Sequence, residues 1–444
     1  MIFMNLTLES PLIKAPPIET TAGNYFISDY PPLSSWTPEE IPKYLHALAA
    51  KPKAAPISLH VHLPFCRQRC QYCYSHTYPH RADKDVNVYV DAVLNELSLY
   101  RRYPAIENRS FNAIYLGGGS PSSLSLQQIG NLLGGLQEQI SWETVEECTF
   151  DCDPGTLLPE KLQLLKRLGV TRLSLGFQTL DDEVLRRSRR ETRAGDCLRA
   201  FHQAREAGFD EINIDLIAGL PGETGAKWKR TVDQVLELVP DCVTIYQLEL
   251  PYDSVLHASI QSGCDVPLPS WPMKCHWTDI AFKMCEGAGY VLGSGYTAIR
   301  NPQWWRFVYT VENFWHGADL LALGETASGY INGVHYRNAD SFDRYTGPLA
   351  ENHLPLQRAL KLSPEERLRR EVILLLKIGQ LDAAHFREKF GVELLDHFEP
   401  QFEKLLQRNL IEVEGGMIRL TREALLRVDW LLPMFYLPEH AGVR

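Results

Sequence analysis

A sixfold alternation of strand-like and helix-like segments constrains this chain more than any other feature of its sequence. From Ile57 onward, short apolar runs rich in β-branched and aromatic residues recur as ISLHVHL, NAIYLGGG, ECTFDCD, RLSLGFQ, EINIDLI and CVTIYQLEL. The segments between them have helical spacing, as in 85–100, where Val90, Val93, Leu94 and Leu97 share one face. Repeated strand–helix units predict a parallel sheet with helices outside it and chemistry at the strand carboxyl ends. Six units fall short of the complete eightfold barrel, so the sequence predicts a partial one.

The same pattern divides the chain into four predicted segments. Residues 1–56 form a proline-rich arm, in which Gly23–Trp36 is expected to be ordered against another surface, and residues 57–264 form the partial barrel. Residues 265–362 form an aromatic-rich extension that closes the barrel and includes Trp304 and Trp305. Its aromatic side chains indicate packing or a pocket for a flat, apolar substrate, and the sequence leaves both open. Residues 363–444, with three helical patterns and a hairpin around Gly415–Gly416, predict a winged-helix-like α+β domain.

Charge and hydropathy exclude several classes of function. The net charge is −10, and the segment from Ser363 to Trp430 holds eleven Lys/Arg against thirteen Asp/Glu, so no basic stripe predicts nucleic-acid binding. No apolar run reaches the length of a membrane span, and the N-terminus lacks the pattern of a signal peptide. We therefore expect a cytoplasmic protein.

Three of the ten cysteines lie within eight residues, directly after the first predicted strand. The segment VHLPFCRQRCQYC contains Cys66, Cys70 and Cys73 in a C-x3-C-x2-C arrangement. Three thiolates hold three irons of a 4Fe–4S cubane and leave the fourth iron open to a small chelating ligand. The amino and carboxylate groups of S-adenosylmethionine fit that position. The alternative is a zinc site completed by His62, His76 or His80, but structural zinc sites prefer two separated ligand pairs and no second pair is evident.

Weaker signals follow at the ends of later predicted strands. Gly117, Gly118 and Gly119, followed by Ser120, allow close approach of the backbone to a ligand. Gln178 and Asp215 end two other strands, where a polar group either holds a ribose hydroxyl or caps the structure. Arg190 either meets a carboxylate or ends a solvated helix.

Taken together, these stretches closely resemble the radical S-adenosylmethionine superfamily and, within it, the oxygen-independent coproporphyrinogen III dehydrogenase-like family. The resemblance rests on VHLPFCRQRCQYC, IYLGGGSPSSL, DPGTL, RLSLGFQTLDDEVL and INIDLIAGLPGET. It implies a partial (β/α)6 barrel, reductive cleavage of S-adenosylmethionine to a 5′-deoxyadenosyl radical, and a flavodoxin or ferredoxin-like electron donor. The residues expected to contact the cofactor are Tyr72, Gly117, Gly118, Gly119, Ser120, Asp151, Gln178, Arg190 and Asp215. Asp151 stands where the family usually has a glutamate.

Three reactions of this family are compatible with the sequence. Methyl or methylene transfer to an sp2 carbon of an aromatic, olefinic or tetrapyrrole substrate, with two S-adenosylmethionine molecules, is favoured by the stretch from Tyr246 and by the aromatic extension. Anaerobic decarboxylation of coproporphyrinogen III is disfavoured by Ser75, which replaces a fourth cysteine. Heme delivery is disfavoured because Thr310–Trp315 lacks the histidine and asparagine of the His-Asn-x-x-Tyr-Trp motif. Tyr246, Glu249 and His335 are the candidates for a catalytic proton-transferring group.

Overall fold

The computed structural model describes residues 26–303 and 307–441. Gly23–Tyr25 of the predicted arm, together with Trp304 and Trp305, lie outside these ranges. The described strands are β1 Ile57–Leu63, β2 Phe65–Cys66, β3 Tyr78–Pro79, β4 Phe111–Gly118, β5 Glu147–Cys152, β6 Arg172–Gln178, β7 Glu211–Ala218, β8 Cys242–Gln247, β9 Val291–Leu292, β10 Thr297–Ile299, β11 Leu320–Leu323, β12 Ser328–Ile331, β13 Val334–Asn338, β14 Leu356–Lys361, β15 Gln380–Asp382, β16 Ile411–Glu414 and β17 Met417–Leu420.

The helices alternate with these strands in the first two thirds of the chain and dominate its last part. They are α1 Ile41–Leu48, α2 Asp83–Tyr100, α3 Pro104–Glu107, α4 Leu126–Gln139, α5 Pro159–Arg167, α6 Asp182–Arg187, α7 Ala194–Glu206, α8 Gly225–Glu237, α9 Val255–Gln261, α10 Trp271–Gly287, α11 Phe342–Ala350, α12 Pro364–Leu376, α13 Ala383–Phe390, α14 Leu394–His397, α15 Glu399–Gln407, α16 Arg422–Leu425 and α17 Val428–Leu431. A π-helical turn spans Val308–Phe314, and short 3-10 turns cover Leu33–Ser35, Pro38–Glu40, Pro121–Ser123, Pro154–Thr156, Leu432–Phe435 and Pro438–His440.

The predicted parallel sheet forms the centre of the molecule. Within the described residues, a twelve-stranded sheet has the order β14-β13-β12-β11-β1-β4-β5-β6-β7-β8-β10-β9. Strands β1 and β4 to β8 are parallel neighbours, which confirms the partial (β/α)6 barrel. Period-two alternation explains its two faces: Leu59, Val61 and Leu63 of β1 are buried against the outer helices, while His60 and His62 point into the barrel.

The sheet continues past residue 264, where the sequence placed the end of the barrel. Strand β11 pairs in parallel with β1, with Ser58 opposite Leu320, and β12 to β14 extend this edge as antiparallel strands. On the other edge, β10 pairs antiparallel with β8. The extension between 265 and 362 is therefore built into the same sheet, because its strands satisfy the hydrogen bonds that β1 and β8 would otherwise expose.

The C-terminal domain has its own hydrophobic core and a three-stranded sheet of order β15-β17-β16. Its hairpin turns at Gly415 and Gly416, both with positive φ, as the sequence predicts. The helical segment that follows the hairpin is interrupted at Leu426–Arg427, which separates α16 from α17. This interruption turns the segment towards the mouth of the barrel.

A buried polar cluster fastens this domain to the rest of the chain. The carboxylate of Asp429 accepts hydrogen bonds from the Lys377 Nζ at 2.9 Å, the Tyr296 hydroxyl at 2.5 Å and the Ile27 backbone N–H at 3.0 Å. The Lys377 ammonium also lies 3.9 Å from the ring centroid of Phe26. We call Asp429, Lys377, Tyr296 and the N-terminal segment 26–27 the Asp429 cluster.

Removing the carboxylate of this cluster should destabilise the fold more than removing its cation. Asp429→Asn leaves the fully buried Lys377 without a counter-charge, so we expect a loss of about 3 kcal/mol in the free energy of unfolding. Lys377→Met removes the charge that needs compensation, and we expect a loss of only about 1 kcal/mol. Urea denaturation followed by circular dichroism measures both losses, and equal values would contradict the expected penalty for an uncompensated buried ammonium group.

Candidate active site

The cysteine loop lies at the carboxyl end of β1, where the parallel sheet opens. Cys66 ends the short strand β2, which pairs with β3, and Cys70 and Cys73 follow in the loop. The Gln71 backbone N–H donates to the Ser188 carbonyl at 3.1 Å. Arg190 Nη1 lies 3.9 Å from the Cys70 sulfur. The segment after α6 therefore fixes the position of the loop.

The three thiols lie close together in surroundings that disfavour free thiolates. Burial raises the pKa of Cys66 to about 12, and the charges of Cys73 and Cys70 add to this effect. Burial also raises the pKa of Cys73, again with a contribution from Cys70. Thiolates in such a place need cations beside them, and the irons of a cluster supply these.

The space beside the thiols fits a cluster better than a single ion. In the part of the chain that the structure describes, no three His, Cys, Asp or Glu side chains converge on one metal ion, as a tetrahedral zinc site requires. In a cubane, each thiolate binds its own iron. A Cβ atom on Gly119 would lie 3.0 Å from the Cys66 sulfur and 2.6 Å from the Phe65 carbonyl oxygen, so only glycine leaves this space open.

A cavity of about 550 Å³ extends from the cysteine loop to the C-terminal domain. Its inner wall consists of residues at the carboxyl ends of β1 and β4 to β8, and its outer wall consists of the segment 425–430 with Phe26 and Tyr296. Aromatic side chains are frequent on both walls: Phe26, Tyr72, Tyr74, Tyr115, Tyr246, Trp271, Tyr296 and Trp430. The cavity therefore joins the thiols to a largely aromatic chamber.

Carboxylates provide most of the charge in this cavity. Asp151, Asp215, Glu249 and Asp429 line it, whereas Arg427 is the one Lys or Arg among the described lining residues. Burial raises the pKa of Asp151 to about 7, the neighbouring Asp215 adds to the rise, and the Tyr115 hydroxyl donates to Asp151 at 2.7 Å. Burial likewise raises the pKa of Asp215, which is held by Ser174 at 2.6 Å and Asn213 at 2.9 Å. Such a lining favours a cationic ligand.

Two buried polar atoms on the inner wall have no hydrogen-bond partner within the described residues. One is Oε1 of Gln178, whose backbone has a φ of 67°, a left-handed conformation that costs energy for a residue with a side chain. The other is Nε2 of His62, whose pKa burial lowers to about 3, so that the ring is neutral. Unpaired buried polar atoms beside a cavity indicate a polar ligand, and S-adenosylmethionine, with its ribose, amine and carboxylate, fits them.

Most of the predicted site residues lie around this cavity. Those that line it are Tyr72, Gly118, Asp151, Gln178, Asp215, Tyr246 and Glu249, with Cys73 of the thiol set. Ser120 lies with its hydroxyl 3.7 Å from the Cys66 sulfur. Arg190 donates to the Tyr72 hydroxyl at 3.2 Å and so lies behind the wall. Gly117 leaves room for Asp151, since a Cβ there would lie 2.7 Å from the carboxylate oxygen.

His335 does not belong to the site, contrary to its candidacy as a catalytic group. It is fully buried, stacks on Trp36 with a centroid distance of 4.6 Å, and places its Nε2 3.0 Å from the Tyr30 carbonyl oxygen. Strand β13, which carries His335, lies three strands from β1 in the sheet, and the His335 ring contacts Trp36 and Tyr30 of the N-terminal arm. Its role is to hold that arm.

The structure adds lining residues that the sequence did not predict. His60 contacts the Tyr309 hydroxyl through Nδ1 at 3.1 Å and stacks on Tyr115. The alternation of His60 and His62 with apolar neighbours in ISLHVHL was a usable signal, because polar residues at i and i+2 of a buried strand must face the barrel interior. Phe26, Arg427 and Asp429 had no comparable signal.

Comparison with known proteins agrees with this geometry. The radical SAM superfamily profile matches residues 60–235, and the HemN C-terminal domain profile matches residues 362–427. The chain is 27% identical over 378 residues to the heme chaperone HemW of Bacillus subtilis (strain 168), covering 83% of this chain and 96% of the relative. It is 28% identical over 400 residues to the oxygen-independent coproporphyrinogen III oxidase of Escherichia coli (strain K12), covering 87% and 86%. The solved structure of coproporphyrinogen III oxidase (HemN) from Escherichia coli superposes with a TM-score of 0.81 at 25% identity, covering 92% of this chain and 96% of that one.

Fold, cysteine loop and cavity define a radical S-adenosylmethionine enzyme, whose cofactors are a 4Fe–4S cluster and S-adenosylmethionine. The motif predicts Cys66, Cys70 and Cys73 as the ligands of that cluster. Within that superfamily, the chain belongs to the HemN-like family of oxygen-independent coproporphyrinogen III oxidases and HemW proteins. No helix in the described residues is long and apolar enough to cross a bilayer.

The raised pKa of Asp151 generates a prediction for cofactor binding. Protonation of a carboxyl group with a pKa of about 7 removes the negative charge that faces a sulfonium or ammonium ligand. We therefore expect S-adenosylmethionine to bind about tenfold more weakly at pH 6 than at pH 8. Asp215, Arg172 and Tyr115 face the same carboxyl group. Burial raises the pKa of Asp215 too, and it raises the pKa of the Tyr115 phenol well above its ordinary value, so the phenol stays protonated near neutral pH.

Equilibrium dialysis against labelled S-adenosylmethionine, with the anaerobically reconstituted protein, measures this slope. Asp151→Asn should bind weakly at both pH values and lose most of the pH dependence. Glu191→Gln, a change at an exposed carboxyl group outside the cavity, is the matched control and should keep it. An unchanged slope in Asp151→Asn would assign the titration to another group.

Proposed function

We propose that this protein is a radical S-adenosylmethionine enzyme that transfers a methyl group from a second S-adenosylmethionine to an sp2 carbon of a tetrapyrrole. The substrate class rests on the relatives, because one group is named for coproporphyrinogen III and the other for heme, and both molecules are tetrapyrroles. None of the relatives compared above is a methyltransferase by name, so the reaction itself rests on the chemistry of the cavity.

The acidic and aromatic lining of the cavity is the observation that carries the proposed reaction. S-adenosylmethionine bears a sulfonium and an ammonium group against a single carboxylate, and aromatic faces attract such cations. Because Asp429 is already paired with Lys377, three lining carboxylates, Asp151, Asp215 and Glu249, stand against Arg427, and this excess of negative charge suits cationic ligands of this kind. The same lining repels coproporphyrinogen III, which carries four propionates and would need several cations around it. A tetrapyrrole with fewer carboxylates, such as heme, meets less repulsion.

Two departures from the relatives point the same way. Ser75 lines the cavity at the position where the coproporphyrinogen dehydrogenases have a fourth cysteine. The segment Thr310–Trp315, which lacks the histidine and asparagine of the chaperone motif, lies almost entirely within the π-helical turn. Its Asn313 side chain donates to Ser58 at 2.8 Å and to Asn112 at 2.8 Å. These residues hold the floor of the barrel, so their role here is structural.

The roles of the chain's own residues follow from the cavity walls. The cluster with its bound S-adenosylmethionine supplies one-electron cleavage of a carbon–sulfur bond and a carbon radical that abstracts hydrogen. Gly118 and Gly119 allow the backbone to approach this ligand, and Asp215 and Gln178 offer acceptors for its hydroxyl and amino groups. Tyr74, Tyr246 and Trp430 form aromatic surfaces for a flat substrate, and Arg427 is placed to bind a propionate.

Proton transfer falls to groups that line the same space. Burial gives Asp151 a pKa of about 7, so it both accepts and releases a proton near neutral pH. His60 and His62 are neutral, because burial lowers their pKa values to about 4 and about 3. Glu249 accepts a hydrogen bond from the backbone N–H of Phe26 and so fixes the entry of the N-terminal arm. We assign Asp151 as the principal proton acceptor in the cavity.

The products of an anaerobic reaction test the proposed function. The reconstituted enzyme, with dithionite, S-adenosylmethionine and heme or a metal-free porphyrin, should yield 5′-deoxyadenosine, S-adenosylhomocysteine and a tetrapyrrole heavier by one CH2 unit. Liquid chromatography with mass spectrometry identifies all three. The Cys66→Ala, Cys70→Ala, Cys73→Ala triple variant should form none of them, because it lacks all three cluster ligands.

Other product patterns contradict the proposal in distinct ways. If coproporphyrinogen III is added and loses carbon dioxide while no S-adenosylhomocysteine forms, the enzyme catalyses the oxidative decarboxylation. Tight heme binding without cleavage of S-adenosylmethionine would assign heme delivery, the activity of the HemW relatives. If the tetrapyrrole stays unmodified while a different aromatic or olefinic compound is methylated, the proposed reaction is supported and the proposed substrate class is wrong.

A further inference from the structure

The surface around the cysteine loop is basic, although the chain as a whole carries a net charge of −10. Arg67, Arg186, Arg189 and Arg193 are all exposed there, and none forms an ion pair with a carboxylate in the described part of the chain. We call these four residues the arginine rim. Their charge is thus available to a partner in solution.

Contacts on the loop fix the rim beside the cluster ligands. Arg67 directly follows Cys66, and a Cβ atom on Gly155 would touch both the Arg67 guanidinium and Thr192, the neighbour of Arg193. The segment that carries Arg186 and Arg189 binds the loop from the other side. The Gln71 amide, oriented so that both its atoms are satisfied, contacts the Arg187 carbonyl at 2.9 Å and Arg189 Nε at 3.3 Å.

The carboxylates near the rim do not neutralise it. Glu183 is paired with Arg187 at 2.9 Å, and Asp196 is paired with Arg199 at 2.7 Å. In each of these two pairs the negative charge is balanced by an arginine that is not part of the rim. Asp182 and Glu191 remain in the same stretch of chain, against four unpaired arginines. A surface of this sign, on the segments that contact the cysteine loop, attracts an acidic partner and steers its approach.

We propose that the arginine rim is the docking site for a small acidic electron-transfer protein. This inference rests on the radical chemistry of the proposed function, which consumes one electron in each cleavage. In the docked complex, the partner is oxidised by one electron and the cluster is reduced by one, and no proton or other group needs to cross the interface. The rim is adjacent to the loop but outside the cavity wall, so docking leaves the substrate space free.

Binding of flavodoxin to the full-length protein tests the inference. Affinity measured by biolayer interferometry should fall at least tenfold between about 50 mM and 300 mM salt, because screening shortens the range of exposed charges. The triple variant Arg67→Glu, Arg186→Glu, Arg193→Glu should bind at least tenfold more weakly at low salt. With dithionite as reductant, which needs no docking, it should cleave S-adenosylmethionine at the wild-type rate.

A matched control separates the rim from general charge. Arg102, Arg167 and Arg408 are exposed arginines, two of them near the carboxyl ends of outer helices on the opposite face of the barrel. Their triple change to glutamate alters the net charge equally and should leave flavodoxin binding within twofold. Cytochrome c, a basic one-electron protein, should not bind the wild-type chain.

The inference is overturned by equal losses in the two triple variants, or by salt-independent binding of the wild-type chain. If the glutamate variant loses its cluster, the variant Arg67→Gln, Arg186→Gln, Arg193→Gln replaces it in the test. This variant removes the positive charges without adding negative ones, so we expect a smaller loss of affinity for flavodoxin. If dithionite does not support cleavage of S-adenosylmethionine by the wild-type protein, the proposed function is refuted. The affinities for flavodoxin would still show whether the arginine rim is a docking site.

Discussion

The hydrogen bonds to Asp429 hold together the parts of the chain that enclose the cavity. Through one carboxylate, the C-terminal domain is bonded to Lys377 of its own core, to Tyr296 of the extension and to the N-terminal arm at Ile27. Each of these segments is distant from the others in sequence, and each contributes to the outer wall. The inner wall does not depend on such contacts, because hydrogen bonds between its parallel strands already fix it. The outer wall of the cavity therefore depends on contacts between distant segments, whereas the inner wall depends on strand pairing.

The parts of the fold that the sequence predicts correctly are those determined by local patterning. Short apolar runs rich in β-branched and aromatic residues identify the six parallel strands, and the C-x3-C-x2-C spacing predicts the cluster-binding loop from local sequence alone. Asp151, Gln178 and Asp215 were predictable for a related reason: residues at the carboxyl ends of parallel strands meet at one edge of the sheet. For these residues, position along the strand already determines position in the site.

The parts that could not be predicted depend on contacts between distant segments. Nothing in the local sequence of Arg427 or Asp429 shows that a break between two short helices points them into the cavity. The opposite error concerns His335, which has a suitable side chain on a suitable strand but is covered by Trp36 of the arm. The sequence also gives no register for the segment after residue 264, whose strands β10 and β11 complete the two edges of the parallel sheet.

Charge of opposite sign on the two sides of the cysteine loop links the site to its surroundings. Inside the barrel, carboxylates on buried strands suit a cationic ligand, and burial makes their charge expensive unless that ligand is present. Outside, the arginine rim faces water, so its charge is screened at short range and has little effect on the cavity. Arg190 connects the two, since it bonds Tyr72 at the wall and lies beside Cys70 in the loop. The cavity side of the cysteine loop thus carries mainly carboxylates, whereas its outer side carries mainly arginines.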